Sequence, residues 1–377
     1  MKKGVIALCT VVLIAFVVVL TTSCNNLDQN EKEKKVMKDD ALDLDCGNWI
    51  IFDEKGVYGT GSKYGYMDKT GEIKIPAQFD DAYEFSEGFA VVYMFSTDKE
   101  PPLPDSWEPY GTHAFINAKG KYVFLCEEGW LTSFSEGIAL VRDKEGQYFI
   151  NTSFEKVFDV ANFATIEPFI EGYALVQTKG TPYPSPIEKK WSYIDKTGNL
   201  ATDKEFEEAN PFSEGMAAVK NNGKWGVIDN NFNLVIDYQY DSAGDFSDGL
   251  MAVEKDGKSG YIDKTGQVVV DFVYDYNFTF REGLASVSKD GKYGFINTKG
   301  EVVIPLKYKY TQGFFEGLSA VKADNGYYGY INTKGEFVIE PIYTAAYWFE
   351  NGLARVSTYV SNYYFINQNG EIVDPHN

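Results

Sequence analysis

One unit is repeated along almost the whole chain, and this repeat constrains the fold more than any other feature of the sequence. Two copies lie between residues 220 and 292. Each copy has a glycine turn, an aromatic-glycine strand (WGVID, SGYID), a polar turn, a β-branched run, a Phe-x-Asp/Glu-Gly corner and a small apolar strand (LMAVE, LASVS). Aromatic and β-branched runs separated by glycine turns are typical of β-structure. The sequence therefore predicts an all-β protein.

The corner glycines define the register of the repeat. The period is close to 34 residues in the second half of the chain, and the glycines are Gly88, Gly137, Gly172, Gly215, Gly249, Gly283, Gly317 and Gly352. The aromatic strand recurs in step, giving eight complete units and a ninth that ends after its second strand. Three strands in about 34 residues cannot bury an apolar face alone, so neighbouring units must stack into one continuous core.

Stacked repeats can form an open superhelix or a closed ring. Blades of a β-propeller usually have four strands in about 40 residues or more, and we count only three strands in each unit. A truncated ninth unit also fits more easily at the end of an open array. We therefore expect a tandem array of about nine three-stranded β repeats in an open superhelix, or solenoid, with a closed β-propeller as the alternative.

Glycines inside the aromatic strands predict close packing. A position without a side chain, such as Gly226 or Gly260, lets a neighbouring backbone or aromatic ring approach the strand. The Asp or Asn that ends each aromatic strand is expected to bond its own following backbone, with a glycine taking positive φ in a bulged hairpin. Four units replace the strand glycine, and we expect them to pack less regularly: their residues are Ala114, Tyr148, Ser192 and Tyr364.

The pattern resembles the WG-containing repeat family, also called KWG repeats, which is named for a pair such as Trp225-Gly226. The resemblance runs from about Lys63 to Val373 and recurs in register. It implies a bacterial protein, often membrane-linked or secreted, in a family of mostly unassigned function. The family brings no catalytic residues to transfer.

The N-terminus predicts a cellular location. Residues 1–23 have a basic start and an apolar run, and Leu20-Thr21-Thr22-Ser23-Cys24 resembles the lipobox of bacterial lipoproteins, in which the cysteine is lipidated. An uncleaved signal anchor is the alternative. Residues 24–45 lack aromatics and predict a flexible tether, which leaves residues 46–377 for the repeat domain. We expect a lipid-anchored protein of the bacterial cell envelope, at the outer membrane or cell surface if the cell is Gram-negative.

Charge and ligand chemistry exclude several function classes. The net charge of −20 repels phosphate backbones, so nucleic-acid binding is not expected. With two histidines and no CxxC, a zinc site has almost no ligands, and we predict no metal and no cofactor. Cys46 and Cys126 can either pair in an oxidising compartment or remain half-buried thiols.

Two proline-rich insertions are the candidate binding loops. They lengthen the repeat at one place in the unit, before the aromatic strand, and carry Trp107, Tyr110 and Tyr183, which can stack on sugar rings or peptides. Tolerated loop insertion is the alternative interpretation. The acid at each corner is assigned to turn chemistry because it recurs in every unit: Glu87, Glu136, Glu171, Glu214, Asp248, Glu282 and Glu316.

The predicted function is a non-enzymatic scaffold that binds an envelope protein or glycan. The alternatives are a carbohydrate-active hydrolase that uses acidic residues near the proline-rich loops, and a structural spacer without a ligand. A glycosidase needs two carboxylates about 5–10 Å apart in a cleft. No sequence motif singles out such a pair.

Overall fold

The computed structural model describes residues 46, 48–53, 62–95, 111–127, 129–160, 163–178, 189–359 and 362–374. The predicted leader and tether, including Cys24, lie outside the described residues. No helix in the described part of the chain is long and apolar enough to cross a membrane.

The described chain folds into nine small antiparallel sheets, which are the blades of a β-propeller. Within each blade the strands pair in chain order. Blades 1 to 3 contain β1 (Ile50–Asp53), β2 (Tyr64–Met67), β3 (Ile73–Phe79); β4 (Asp81–Ala82), β5 (Phe89–Phe95), β6 (Gly111–Asn117), β7 (Tyr122–Glu127); and β8 (Trp130–Leu131), β9 (Ile138–Asp143), β10 (Gly146–Asn151), β11 (Lys156–Asp159).

The middle blades include one of the irregular blades and two regular ones. Blade 4 has three strands, and blades 5 and 6 have four. Their strands are β12 (Phe163–Ile170), β13 (Tyr173–Thr178), β14 (Trp191–Asp195); β15 (Glu208–Ala209), β16 (Met216–Asn221), β17 (Lys224–Asp229), β18 (Leu234–Tyr240); and β19 (Ser242–Ser247), β20 (Leu250–Lys255), β21 (Lys258–Asp263), β22 (Val268–Tyr274).

Blades 7 to 9 each have four strands. They are β23 (Tyr276–Asn277), β24 (Leu284–Lys289), β25 (Lys292–Asn297), β26 (Val302–Tyr308); β27 (Tyr310–Thr311), β28 (Leu318–Lys322), β29 (Tyr328–Asn332), β30 (Phe337–Tyr343); and β31 (Ala345–Glu350), β32 (Leu353–Tyr359), β33 (Asn362–Asn367), β34 (Ile372–Val373).

The blades close into a ring, so the expectation of an open superhelix was wrong and the closed propeller is confirmed. Between neighbouring blades, a turn glycine of one blade lies against an aliphatic side chain on the fourth strand of the blade before it. A Cβ added to Gly335 would lie 3.1 Å from Ile304 Cγ2, and one added to Gly71 of blade 1 would lie 3.1 Å from Val373 Cγ1 of blade 9. Blade 9 therefore contacts blade 1 through the same kind of glycine-aliphatic contact that joins consecutive blades elsewhere in the ring.

Buried side chains confirm this closure. Phe52 and Met67 of blade 1 share one apolar cluster with Leu353 of blade 9. The strand β1 that carries Phe52 was not identified in the sequence, because Ile50–Asp53 precedes the first recognisable motif. We call the junction between blades 1 and 9 the seam.

The count of three strands per unit was wrong because the corner hides a strand. The two corner residues both have positive φ, for example 53° at Asp248 and 79° at Gly249. Two consecutive residues of this kind make a type I′ turn, which joins adjacent antiparallel strands directly. The residues before each corner are therefore a first strand, such as β19, paired with the apolar strand after it.

The apparent truncation of the ninth unit was also wrong, because the blade boundary falls elsewhere in the repeat. A blade begins just before the corner and ends after the β-branched run. Blade 9 is therefore complete, with β31 and β32 ahead of its aromatic strand β33 and the short β34 behind it.

The strand glycines are explained by a bulge in the fourth strand. In blade 6, Ser259 pairs with Tyr274 and Tyr261 with Val270, so β22 carries extra residues opposite Gly260. A Cβ at Gly260 would lie 2.6 Å from the Val270 carbonyl oxygen. The predicted close backbone approach is confirmed.

The four blades without the strand glycine differ in how the fourth strand pairs with the aromatic strand or in how long it is. In blade 2, Ala114 pairs directly with Leu125 of β7, with no bulge opposite it. The fourth strand has four residues in blade 3 and two in blade 9, and blade 4 has none among the described residues. The predicted irregularity is confirmed for blades 3, 4 and 9, whereas blade 2 pairs more regularly than expected.

The Asx turns that follow the aromatic strands are confirmed. In blade 1, Asp68 Oδ1 accepts hydrogen bonds from Thr70 N at 2.8 Å and Thr70 Oγ1 at 2.6 Å. Lys74 Nζ lies 2.9 Å from Asp68 Oδ2. Burial of Asp68 raises its pKa, but the hydrogen bonds from Thr70 and Lys74 outweigh this and lower the pKa to about 2.

Replacing Asp68 by Asn should reduce the acid sensitivity of the fold. A carboxyl whose pKa is lower in the folded state stabilises the fold above its unfolded pKa of about 3.9, and this contribution is lost as the pH falls. We expect Asp68→Asn to have a lower Tm than wild type at pH 7, and we expect this difference to become much smaller as the pH falls to about 2. Thermal melts between pH 2 and 7 measure this difference, with Asp271→Asn, an exposed position on β22, as the control. A Tm difference that does not change with pH would contradict the prediction.

The two cysteines that the structure describes are both buried thiols rather than a disulfide pair. Cys46 is in the core of blades 1 and 2. It occupies the place of the serine in the corner motif, because Trp49 N donates to Cys46 O at 3.1 Å as Met216 N donates to Ser213 O at 3.1 Å.

Candidate functional site

The corner acids link neighbouring blades. Each corner carboxylate accepts a hydrogen bond from the corner glycine N–H of the next blade, as Glu282 Oε2 does from Gly317 at 3.0 Å and Glu316 Oε2 from Gly352 at 2.9 Å. Equivalent bonds start at Glu87, Glu136, Glu171, Glu214 and Asp248. The structure thus gives these acids the turn role predicted for them. The series stops at the seam, where blade 9 has Asn351 in place of the acid.

The candidate residues chosen from the sequence lie outside the described residues: Cys24, Trp107, Tyr110 and Tyr183. The strands on either side show where the two insertions are attached. One lies between β5 and β6, and the other between β13 and β14. Both attachments join the second and third strands of a blade. The corners join the first and second strands and therefore lie at the opposite end of the second strand.

A cavity of about 560 Å³ lies at the seam, and we call it the seam cavity. Its wall on blade 1 is formed by Trp49 and by β1, which follows it, and its wall on blade 9 includes Tyr347, Trp348 and Tyr363. Large cavities lined by aromatic side chains with a few charged groups are the usual places for ligand binding. The seam is therefore the first candidate site.

A second cavity of about 520 Å³ adjoins it on the corner side of blades 6 to 9, and we call it the corner cleft. Trp348, Glu350 and Asn351 line both cavities. The two cavities therefore meet at the corner of blade 9.

The corner cleft lies where the repeat departs from its own pattern. In four blades the residue after the corner phenylalanine is a serine that donates to a backbone carbonyl of the next blade, as Ser213 Oγ does to Phe246 O at 2.7 Å and Ser247 Oγ to Phe280 O at 2.7 Å. Blades 7, 8 and 9 instead carry Arg281, Phe315 and Glu350 at this position. Three consecutive blades thus replace a hydrogen bond between blades with larger side chains.

Arg281 and Phe315 form a continuous stack with Trp348, the residue before the corner phenylalanine of blade 9. The Arg281 guanidinium lies 4.6 Å from the Phe315 ring centroid. Phe315 and Trp348 are stacked with centroids 5.6 Å apart and ring planes at 23°. Gly313 leaves room beside them, since a Cβ there would lie 3.4 Å from Arg281 Cδ. Trp348 is still 46% exposed, so the stack ends on an accessible indole.

Glu350 is the carboxylate next to that indole. Burial raises its pKa, and the nearby negative charges of Glu84 and Glu316 raise it further, while a hydrogen bond from the Trp348 side chain acts in the opposite direction. Burial and the two acidic neighbours therefore disfavour the ionised form of Glu350. A positively charged group at this place would relieve the repulsion.

The same blade 9 wall of the seam cavity also holds a tyrosine-arginine cluster. The Arg355 guanidinium lies 4.5 Å from the Tyr347 ring centroid and 4.8 Å from that of Tyr363. Hydrogen bonds with Tyr363 and Arg355 lower the pKa of the Tyr347 phenol. A buried hydroxyl fixes this wall, because Tyr330 Oη donates to the Tyr347 carbonyl at 2.7 Å.

Sequence reasoning did not find these residues. The corner motif was written Phe-x-Glu-Gly with x left undefined, although x is serine at four corners and Arg281, Phe315 or Glu350 at the last three. This run of exceptions was the available signal. The proximity of blades 1 and 9 had no signal, because it depends on ring closure.

The structure shows no metal-ligand cluster among the residues it describes.

Comparison with known proteins gives one family and a group of distant structures. The profile of the WG containing repeat matches residues 64–94, 114–148, 149–181, 191–225, 225–258, 260–293, 293–327 and 328–358, which together are well over half of the chain. No curated protein matches the chain significantly by sequence.

Among solved structures, BamB from Moraxella catarrhalis is 9% identical with a TM-score of 0.36, covering 74% of this chain and 96% of that one. A eukaryotic initiation factor is 11% identical with a TM-score of 0.40, covering 76% and 95%. A protein of unknown function from Bacteroides caccae is 17% identical with a TM-score of 0.25, covering 53% and 90%.

Proposed function

Because the chain belongs to the WG-containing repeat family and closes into a nine-bladed propeller, we propose that it is a non-enzymatic binding scaffold. Its partner is a protein or glycan of the bacterial cell envelope, and a lipid at Cys24 anchors it to the membrane. The observation that carries this proposal is the pair of adjoining cavities at the seam, which share Trp348 and Glu350.

The scaffold interpretation follows from how the repeat uses its residues. Corner acids and corner serines hold neighbouring blades together, so these polar groups of the repeat serve the ring. Four corners lack the serine, and the exceptions in the last three blades gather in one region and supply an exposed aromatic surface beside carboxylates, whereas Ile170 of blade 4 lies apart from it. Aromatic side chains, tryptophan above all, that a partner covers in a concave region are typical binding hot spots.

A hydrolase remains the second candidate, and one observation favours it. Glu350 has a raised pKa in a cavity that also holds Glu84, and a carboxyl of this kind can act as a general acid. The site would then be at the seam rather than near the proline-rich loops.

Capture of envelope partners with full-length protein tests the scaffold. We expect wild type to retain a defined protein or glycan from solubilised envelopes, and Trp348→Ala to lose about tenfold or more of it. Trp130→Ala is the matched control, because Trp130 of blade 3 is 52% exposed and stacks on His113 of blade 2 with ring centroids 5.2 Å apart. Equal retention by wild type and Trp348→Ala would place binding elsewhere, and the triple variant of Trp107, Tyr110 and Tyr183 would then test the insertion loops.

Two further measurements test the anchor and the enzyme alternative. Intact mass of wild type and Cys24→Ser shows whether diacylglyceryl is attached at Cys24. Glycan turnover that Glu350→Gln abolishes would replace the scaffold by the hydrolase.

A further inference from the structure

We infer that the corner of blade 9 recognises a basic side chain of a partner protein, an arginine or lysine in an extended segment, on the accessible indole of Trp348. This inference rests on the proposed scaffold function and specifies the chemistry of its partner.

The contact at one end of the stack indicates which kind of group can bind to the exposed ring at the other end. At one end, the Arg281 guanidinium lies over Phe315 at 4.6 Å, a cation–π contact. The next ring, Trp348, is stacked on Phe315 and remains 46% exposed. Indole is the strongest cation–π acceptor among the side chains. A second cation can therefore cap Trp348 as Arg281 caps Phe315.

Charge around the indole supports a cation over a neutral ligand. Among its described residues, the corner cleft is lined by four carboxylates, from Asp248, Glu282, Glu316 and Glu350, and by the guanidinium of Arg281. Glu350 is also beside the indole, to which it is hydrogen bonded. A neutral sugar ring could stack on Trp348 but would leave this excess of negative charge unbalanced.

The described lining of the seam cavity is also mainly acidic. Its described charged residues are Asp53, Glu84, Glu350 and Asp374 against the single cation Arg355. The chain as a whole carries a net charge of −20, which attracts basic partners at long range. Two adjoining cavities of about 560 and 520 Å³ are too large for one ammonium group. They suit a peptide with basic residues at alternate positions, whose side chains reach both cavities.

Binding of defined peptides to full-length protein tests the inference. The probes are an acetylated, amidated Gly-Arg-Gly-Arg-Gly peptide and the same peptide with citrulline in place of arginine, which keeps the shape and removes the charge. We expect the arginine peptide to bind by calorimetry and the citrulline peptide to bind about tenfold more weakly. Trp348→Ala should reduce the affinity for the arginine peptide by a similar factor, and Trp130→Ala should leave that affinity unchanged.

A charge-matched pair separates the site from general attraction to an acidic protein. Glu350→Gln and Glu340→Gln remove the same charge, but Glu340 is at an exposed position of β30 outside both cavities. We expect only Glu350→Gln to weaken binding at 150 mM salt. Glu350→Gln leaves the aromatic stack in place, so it also tests the site if Trp348→Ala does not fold.

Three results would overturn the inference: equal binding of the two peptides, equal effects of the two Gln variants, or no binding of the arginine peptide. A neutral oligosaccharide, chitohexaose, is the rival probe. If it binds and Trp348→Ala abolishes that binding, the scaffold function stands with a glycan ligand and the cation inference fails. If neither probe binds, the inference fails, and partner capture alone decides the scaffold function.

Discussion

Leu353→Ala should destabilise the protein by about 2–5 kcal/mol, as expected for a leucine removed from a packed core. Leu353 is 3% exposed, and it is buried by Phe52 and Met67 from the other end of the chain. In an open array the same leucine would belong to the terminal repeat, where part of its surface would face water. The size of the loss therefore reports ring closure.

Leu318→Ala is the matched control for this experiment. Leu318 is the equivalent residue of blade 8 and is 7% exposed. Its cluster joins blades 8 and 9, a junction other than the seam. Urea unfolding followed by tryptophan fluorescence gives both free energies of unfolding. Similar losses for the two variants support the closed ring. A loss at Leu353 below about 1 kcal/mol beside a full loss at Leu318 would mean that the seam does not close in solution.

Gly260→Ala should cost about 1–3 kcal/mol, the range for forcing extra volume into a packed site. The new methyl group would lie 2.6 Å from the Val270 carbonyl oxygen, and that oxygen belongs to backbone rather than to a flexible side chain. The bulge of β22 must move to make room. The loss should appear as a lower urea midpoint with an unchanged slope.

Gly244→Ala, in the same blade, is the control. A Cβ at Gly244 would lie 3.7 Å from its nearest atom, the Ala252 carbonyl oxygen, and it needs no positive φ. Replacing glycine where the backbone is compatible reduces the entropy of the unfolded chain and stabilises by about 0.4–1 kcal/mol. Gly260→Ala and Gly244→Ala should thus change stability in opposite directions. Equal effects would contradict the assigned role of the strand glycine.

Much of the local structure was determined by the sequence. The Asx turn at Asp68, the strand glycine at Gly260 and the corner at Asp248-Gly249 were each predicted from residue types and their spacing. These features depend on contacts within about 15 residues, where side-chain hydrogen bonding and the absence of a Cβ act directly on the backbone. The recurrence of the same residue types in register along the chain supported those local rules.

Only the tertiary structure decided how the repeats are grouped and where the ring ends meet. The corner was recognised from its sequence, but its type I′ geometry, which makes Ser242–Ser247 the first strand of a blade, was not assigned. Closure depends on the angle between successive blades, which arises from packing summed around all nine and leaves no local signature. It brings Trp49 and Tyr363 to one cavity although they are more than 300 residues apart in the chain. The candidate site follows from that packing, because its wall combines residues from both ends of the sequence.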